Sequence, residues 1–402
     1  MFIYNLSIRF YWFIILFASF LNQKAKRFVE GRKHIWQELS KIKEKNLFWF
    51  HCASLGEFDQ GLPLMFLLKE KDPSIKILVT FFSPSGMDHF HKRKHCADYV
   101  HYLPIDTKKN AEKFIHLIEP KKIFFVKYEF WLNYIFEANS NNIPLYSVSC
   151  ILRPNQHFFK RRGYLFRKGL KCFQLFFVQN EETKKLLDSI DIHNTIITGD
   201  TRYDKVIDNK INLVDDNTIS NFLENQKALI LGSSWNTEET IFKQALDSGL
   251  IKEKVIIAPH DISEKHLNQI ESLFNENIIR YSNFSNYNNE QILLIDSIGK
   301  LANAYQYGMF AFVGGGFSGN LHNTLEPIVF GLPTVFGPKH SKFPEAAFFI
   351  QKKVAREITN EIDFLDAYTH FKKTEKEVKK KCDFIIETSK GASQKIIDKI
   401  FI

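Results

Sequence analysis

Short apolar runs punctuate this chain at regular intervals, and nearly every one breaks into a turn that opens a helix-length amphipathic segment. The runs occupy residues 47–51, 75–82, 99–103, 122–127 and 145–149, then 173–178, 195–198, 228–232, 255–258, 291–294, 310–313 and 333–336. Runs this short, bounded by glycine, serine and proline, read as buried strands, and the segments between them as right-handed helical crossovers. The pattern predicts an α/β fold of parallel, doubly wound sheets.

A polar stretch at 208–225 interrupts the rhythm and reads as a linker between two Rossmann-like domains, 23–207 and 208–402, with the last helix free to cross back to the first. Two such sheets are expected to leave a cleft between their carboxyl strand ends, where ligands of α/β sheets bind.

Ahead of the first strand, residues 1–21 are almost wholly apolar and aromatic, with Arg9 as the only charge, and Lys24, Lys26, Arg27, Arg32 and Lys33 follow. The uninterrupted stretch 10–21 falls short of the ~20 residues that a spanning helix needs. Neither a small-residue cleavage site nor a disulfide-bearing exported body follows, which argues against a cleaved leader. Residues 1–22 are therefore predicted to be an uncleaved membrane anchor. It would span with Arg9 snorkelling, or lie in the interface with its basic cluster against anionic lipids on the cytoplasmic side. The competing reading is an amphipathic helix packed on the first domain.

Composition narrows the classes. With 402 residues and 45% hydrophobic positions, each domain has enough apolar material for a core. A net charge of +9 invites an anionic partner. The lysines and arginines are scattered and accompany no nucleic-acid motif, which favours an anionic lipid surface or a phosphorylated substrate over nucleic acid. The cysteines Cys52, Cys96, Cys150, Cys172 and Cys382 are odd in number and lack a C-x-x-C pair, so neither a disulfide framework nor a zinc site is expected. No metal or cofactor is predicted, and the compartment reads as reducing.

The chemistry concentrates at 310–346. A strand there breaks into Gly314-Gly315-Gly316, and His322, Asn323 and Glu326 follow at the start of a new helix. A strand, a glycine loop and a helix amino terminus direct unpaired N–H groups at one place, which suits a phosphate. Three glycines also make an ordinary tight turn, but the polar cluster after them favours a ligand. Neither a P-loop nor the dinucleotide fingerprint fits the spacing, which leaves a nucleotide-sugar type of site. Glu57, in a turn after the first strand, is a candidate general base or a dipole-complementing helix glutamate. Glu129 holds the same place after the fourth strand. Ser83 and Ser85 form a second helix-entry loop that suits a phosphate, a sugar hydroxyl or a plain capped turn. Ser233 and Ser234 are its counterpart in the second half, and His260 and Arg202 are candidate anion contacts.

With these residues assembled, the chain resembles the Kdo transferases, which move 3-deoxy-D-manno-octulosonic acid (Kdo) from CMP-Kdo onto the lipid A precursor at the cytoplasmic face of the inner membrane. His51-Cys52-Ala53-Ser54-Leu55-Gly56-Glu57 is similar to the family's H-x-x-S-[VL]-G-E, Tyr102-Leu103-Pro104-Ile105-Asp106 to Y-L-P-x-D, and Glu129-Phe130-Trp131-Leu132-Asn133 to E-L-W-P-N. Residues 80–86, 179–182, 199–204, 314–327 and 336–340 resemble further family segments, so the likeness covers nearly the whole chain. It implies the two-domain GT-B architecture and inversion without a metal. It also implies Glu57 as catalytic base, Glu129 in the acceptor-side domain as a second important carboxylate, and Ser233, Ser234, His260, Gly315, Gly316, His322, Asn323 and Glu326 around the CMP. CMP leaves already ionised, so no general acid is required. Lys127 stands where the family's E-T-E-L-W begins with glutamate, Arg202 replaces a lysine, Lys300 a glutamate and Ile151 an arginine. A GT-B transferase or epimerase using a UDP-sugar is the alternative.

Overall fold

The computed structural model describes residues 1–401. The chain divides into two compact units, Met1–Lys205 with Ser389–Ile402, and Val206–Thr388.

In the first unit seven parallel strands, β1 (Phe48–Cys52), β2 (Ile77–Phe81), β3 (Tyr99–Tyr102), β4 (Lys122–Val126), β5 (Leu145–Cys150), β6 (Leu175–Val178) and β7 (Thr195–Ile197), lie in the order β3-β2-β1-β4-β5-β6-β7. All five residues of β1 are buried, which only a central strand covered on both faces requires. Phe48, Phe50 and Cys52 point to one face, with Ile77, Val79, Phe124 and Val126. Trp49 points to the other, with Leu78, Ile123 and Phe125, and its Nε1 donates to Thr80 Oγ1 at 2.8 Å. The helix Ala392–Ile400 closes the first face through Ile396, Ile397 and Ile400. Asp204 tethers it, accepting the N–H groups of Gly391 and Ser393 at 2.7 Å each.

The second unit repeats the plan with β8 (Ala228–Ser234), β9 (Lys254–Pro259), β10 (Ile278–Arg280), β11 (Ile292–Leu294), β12 (Gly308–Val313), β13 (Thr334–Phe336) and β14 (Ala355–Glu357), ordered β10-β11-β9-β8-β12-β13-β14 and also parallel. The edge strands β10 and β14 are three residues long and carry no pattern that distinguishes them from loop. The stretch expected as a linker is structured instead. The helix Thr201–Ile211 runs across the boundary between the units. Asn217–Leu223 is a further helix, capped by Asp216 and burying Ile219, Phe222 and Leu223. Three apolar positions at i, i+3 and i+4 among acidic and amide residues are enough to seat that helix on the core.

The amino-terminal segment forms α1 (Phe2–Ala18). Tyr4 Oη donates to Asp106 at 2.5 Å and accepts the Leu132 N–H at 3.3 Å, while Asn133 Nδ2 donates to Asn5 Oδ1 at 2.9 Å. Ile8 is buried beside Phe28 and Ile105, with Trp12 and Ile15 partly covered. Phe2, Ile3, Phe10, Phe13, Phe17, Phe20 and Leu21 face outward. No single helix among the described residues is long and apolar enough to cross a membrane, and α1 with Gln23–Glu30 reaches the length only as a pair bent by 120°. The anchor was expected to span or to lie in the interface; α1 is a helix tied to its unit by hydrogen bonds, with a row of large apolar residues turned outward.

Candidate active site

Strand order reverses between β1 and β4, so the loops that leave their carboxyl ends diverge and open a crevice. Glu57 stands in the first turn of the helix after β1 and Glu129 on the loop after β4. Glu57 closes a capping box on the helix Leu55–Lys71: its Oε2 accepts from the Ser54 N–H at 3.0 Å and from the Ser54 hydroxyl. Its Oε1 lies 3.4 Å from Lys127 Nζ. Glu57 thus serves the helix terminus, and its side chain beside Lys127 is 12% exposed. Lys127 adopts φ 73°, which turns the chain sharply as it leaves β4. Burial, and then the negative charge of Glu57, push the Glu129 carboxyl up to about 7, against a smaller opposing pull from Lys127. A carboxyl at that value changes charge near neutral pH.

Behind the pair, His51 on β1 is completely buried, and its pKa falls to about 3 through desolvation, so the ring is neutral. Trp131 Nε1 donates to His51 Nε2 at 3.0 Å, which places the imidazole proton on Nδ1, 3.0 Å from Thr80 Oγ1. This contact fixes Trp131, two residues after Glu129, against Phe82 with ring centres 4.3 Å apart. Ser83 and Ser85 form the capped turn: Ser83 Oγ accepts from the Ser85 N–H at 3.3 Å. Arg202 is bound to Asp200, with Nε and Nη2 at 2.8 and 2.7 Å from Oδ2.

In the second unit the reversal falls between β8 and β12, and the expected donor residues cluster at their carboxyl ends. The glycine loop differs from the open phosphate cradle anticipated for it. Gly314 N–H donates to Gly232 O at 2.9 Å and Gly315 N–H to Glu238 Oε1 at 2.8 Å, so two of its donors are occupied. The glycines serve close approach: a Cβ on Gly314 would meet Ser233 O at 2.0 Å, and one on Gly316 would meet Gly337 N at 2.4 Å. The helix that follows, Leu325–Val329, is only five residues long, with Asn323 Oδ1 accepting the Leu325 N–H at 3.1 Å.

Beside that loop the structure assembles a stack of rings instead. Trp235 lies 4.7 Å from His260, and His260 lies 4.4 Å from His322, with interplanar angles of 30° and 28°. Trp235 Nε1 donates to His322 Nε2 at 3.4 Å, and desolvation, with the neighbouring His260, lowers the His322 pKa to about 4. Asn323 Nδ2 donates to Glu326 Oε1 at 3.1 Å. A neutral, partly exposed ring stack offers a platform for a planar heterocycle. Ser234, by contrast, is fully buried and donates to Glu239 at 2.8 Å, which also meets His266. Ser233 adopts φ 53° at the end of β8. Glu238 escaped the sequence reading, and Trp235 entered it only as the last residue of the 232–235 turn, without a role of its own. Among the described residues no group of three His, Cys, Asp or Glu side chains is placed to hold a metal.

Residues 25–205 match the family described as 3-Deoxy-D-manno-octulosonic-acid transferase (kdotransferase). The 3-deoxy-D-manno-octulosonic acid transferase of Aquifex aeolicus is 26% identical over 339 residues, covering 83% of this chain and 88% of that protein. That of Haemophilus influenzae is 24% identical, covering 96% and 94%. A bifunctional glycosyltransferase/methyltransferase of Fusobacterium nucleatum is 25% identical over 88% of this chain, which spans 57% of its length. In fold, the UDP-GlcNAc 2-epimerase of Neisseria meningitidis superimposes with a TM-score of 0.63 at 16% identity, over 89% of this chain and 100% of that one. Sequence similarity along both units, and the match of residues 25–205, lead to one conclusion: the chain is similar to the 3-deoxy-D-manno-octulosonic-acid transferases, and its first unit carries the part that matches their family.

Proposed function

We propose that this protein transfers Kdo from CMP-Kdo to a hydroxyl of the lipid A precursor, with inversion at the anomeric carbon, without a metal, and with release of CMP. The observation that carries the reading is the Glu57 and Glu129 pair at the switch-point crevice of a chain similar to these transferases. Glu57, beside Lys127, accepts the proton of the attacking lipid hydroxyl. The hydroxyl oxygen forms the new bond to the anomeric carbon as the bond to the phosphate oxygen breaks, and its electron pair departs with CMP. Glu129 is the second carboxylate of the acceptor side, and it supports the base when ionised. The cytosine ring is assigned to the Trp235, His260 and His322 stack, and the ribose hydroxyls to Glu326. The outward apolar face of α1, followed by Lys24, Lys26 and Arg27, supports attachment to the cytoplasmic face of the inner membrane, where such an acceptor resides.

The test measures nucleotide release by the purified full chain in detergent. CMP formed from CMP-Kdo only when the lipid A precursor is present supports the reading. Release of UDP from UDP-N-acetylglucosamine, with CMP-Kdo untouched, overturns it in favour of a UDP-sugar enzyme.

A further inference from the structure

Lys127 brings a cation to the Glu57 carboxylate from a strained position. Its φ of 73° lies in the left-handed region, which a residue with a Cβ adopts only at a cost. The neighbouring strand holds it there: the Lys127 N–H donates to Val148 O at 2.8 Å, and Ser147 Oγ donates to the Lys127 carbonyl at 3.4 Å. Strain of this kind concentrates at functional sites. The side chain is 28% exposed, so a substrate group can reach the ammonium. Of the three N–H donors on Nζ, one is engaged by Glu57 at 3.4 Å, and no other group among the described residues accepts from it.

The adjacent strand end supplies a second observation. β4 and β5 are parallel neighbours with Val126 opposite Val148, so the chain leaves them side by side at 127 and at 149–151. The family pattern has a glutamate in the first of these loops and an arginine in the second, whereas this chain has Lys127 and Ile151. Lysine for glutamate alone would invert the charge of the site. Paired with the loss of the arginine, it moves a cation from the end of β5 to the end of β4 and removes one carboxylate.

The proposed donor brings the matching anion. In a 2-ulosonic acid such as Kdo the carboxylate is attached to the anomeric carbon itself. An acceptor hydroxyl that is hydrogen-bonded to Glu57 and in near-attack contact with that carbon therefore sets the sugar carboxylate close to the base. Two carboxylates so placed repel each other unless a cation lies between them.

We infer that Lys127 receives the carboxylate of the transferred sugar acid, its ammonium bridging that group and Glu57. The assignment rests on the transfer reaction proposed above. It makes Lys127 a determinant of selectivity for a sugar acid over a neutral sugar.

The test measures KM for CMP-Kdo and kcat with the lipid A precursor at pH 9, well above the Glu129 value of about 7, so that a shift in that group contributes little. Calorimetric titration with CMP on the same samples reports on the nucleotide site and on folding. Lys127→Gln is expected to raise KM about tenfold, the scale of one charge-assisted contact, with kcat at saturating donor near wild type and CMP affinity unchanged. Lys127→Glu raises KM further, and adding Ile151→Arg to it returns KM to within about threefold of the native value, because the neighbouring loop again carries a cation. An unmoved KM in Lys127→Gln, or a Lys127→Glu chain that binds CMP and is not rescued by Ile151→Arg, overturns the assignment while the transfer reaction stands. An equal loss of CMP affinity in Lys127→Gln would place the effect on the nucleotide and overturn it too. No turnover of CMP-Kdo by the native chain overturns both the assignment and the reaction it rests on.

Discussion

Lys127 holds its Nζ 3.4 Å from Oε1 of Glu57, joining the loop after β4 to the first turn of the helix after β1. The same ammonium lowers the pKa of Glu129, while the ionised Glu57 raises it. One lysine therefore pairs with Glu57 and tunes Glu129, at a position where the family pattern begins with a glutamate.

Replacing Lys127 by Gln removes the charge that favours ionised Glu129, so the Glu129 pKa rises. If transfer needs both carboxylates ionised, the acid limb of the pH–activity profile moves up, by about one unit on the scale of a nearby opposite charge. Activity at pH 6.5 falls several-fold while activity at pH 9 stays near wild type. A profile measured with CMP-Kdo from pH 5.5 to 9.5 checks this, and an unmoved acid limb contradicts it.

Glu129 also links stability to pH. Its folded pKa of about 7 lies above the ordinary carboxyl value of ~4.3, so between these limits the folded state holds a proton that the unfolded chain has released. Stability from this group is full below the lower value and is lost as pH rises toward 7. Glu129→Gln removes the loss and stabilises the protein by about 1–3 kcal/mol at pH 8, with little change at pH 4.5. Urea denaturation of the first unit's tryptophan signal at the two pH values measures the difference. Equal effects at both would place the cause elsewhere.

Much of the fold was legible because a buried parallel strand is a continuous apolar run, and 48–52, 122–126 and 308–313 are such runs. The three-residue edge strands were not, since Ile278–Arg280 and Ala355–Glu357 pair on one side only and need no longer pattern. The helix Asn217–Leu223 was hidden by the acidic and amide residues around its three apolar contacts. At the site, the strand pattern put Glu57 after β1 and Glu129 after β4, where they lie. It could not show that the Gly315 N–H is taken by Glu238, because that bond spans 77 residues. The ring stack was out of reach for the same reason, since Trp235, His260 and His322 come from three separate loops.

The stack carries its own prediction. Trp235→Ala and His322→Ala each weaken CMP binding about tenfold, the scale of one base stacked on an aromatic ring, with little change in melting temperature because the rings are partly exposed. Isothermal titration with CMP measures it. Unchanged affinity in both variants would remove the nucleobase from this platform.

The outer face of α1 is predicted to meet lipid. Phe13→Asp combined with Phe17→Asp, both strongly exposed, leaves the melting temperature within about 2 °C of wild type. The fraction that co-sediments with phosphatidylglycerol vesicles falls more than tenfold, since each phenylalanine contributes about 1.5–3 kcal/mol when buried. Undiminished co-sedimentation would assign membrane attachment to another surface.

The most direct test of the account is the mass of the lipid product after incubation of the full chain with CMP-Kdo and a tetraacyl lipid A precursor, with Glu57→Gln alongside. A gain of whole Kdo units is expected with the native chain and none with the variant, although the variant still binds CMP. A folded, CMP-binding native protein that leaves the lipid mass unchanged would contradict the proposed transfer. An equal gain with Glu57→Gln would contradict the assignment of the base.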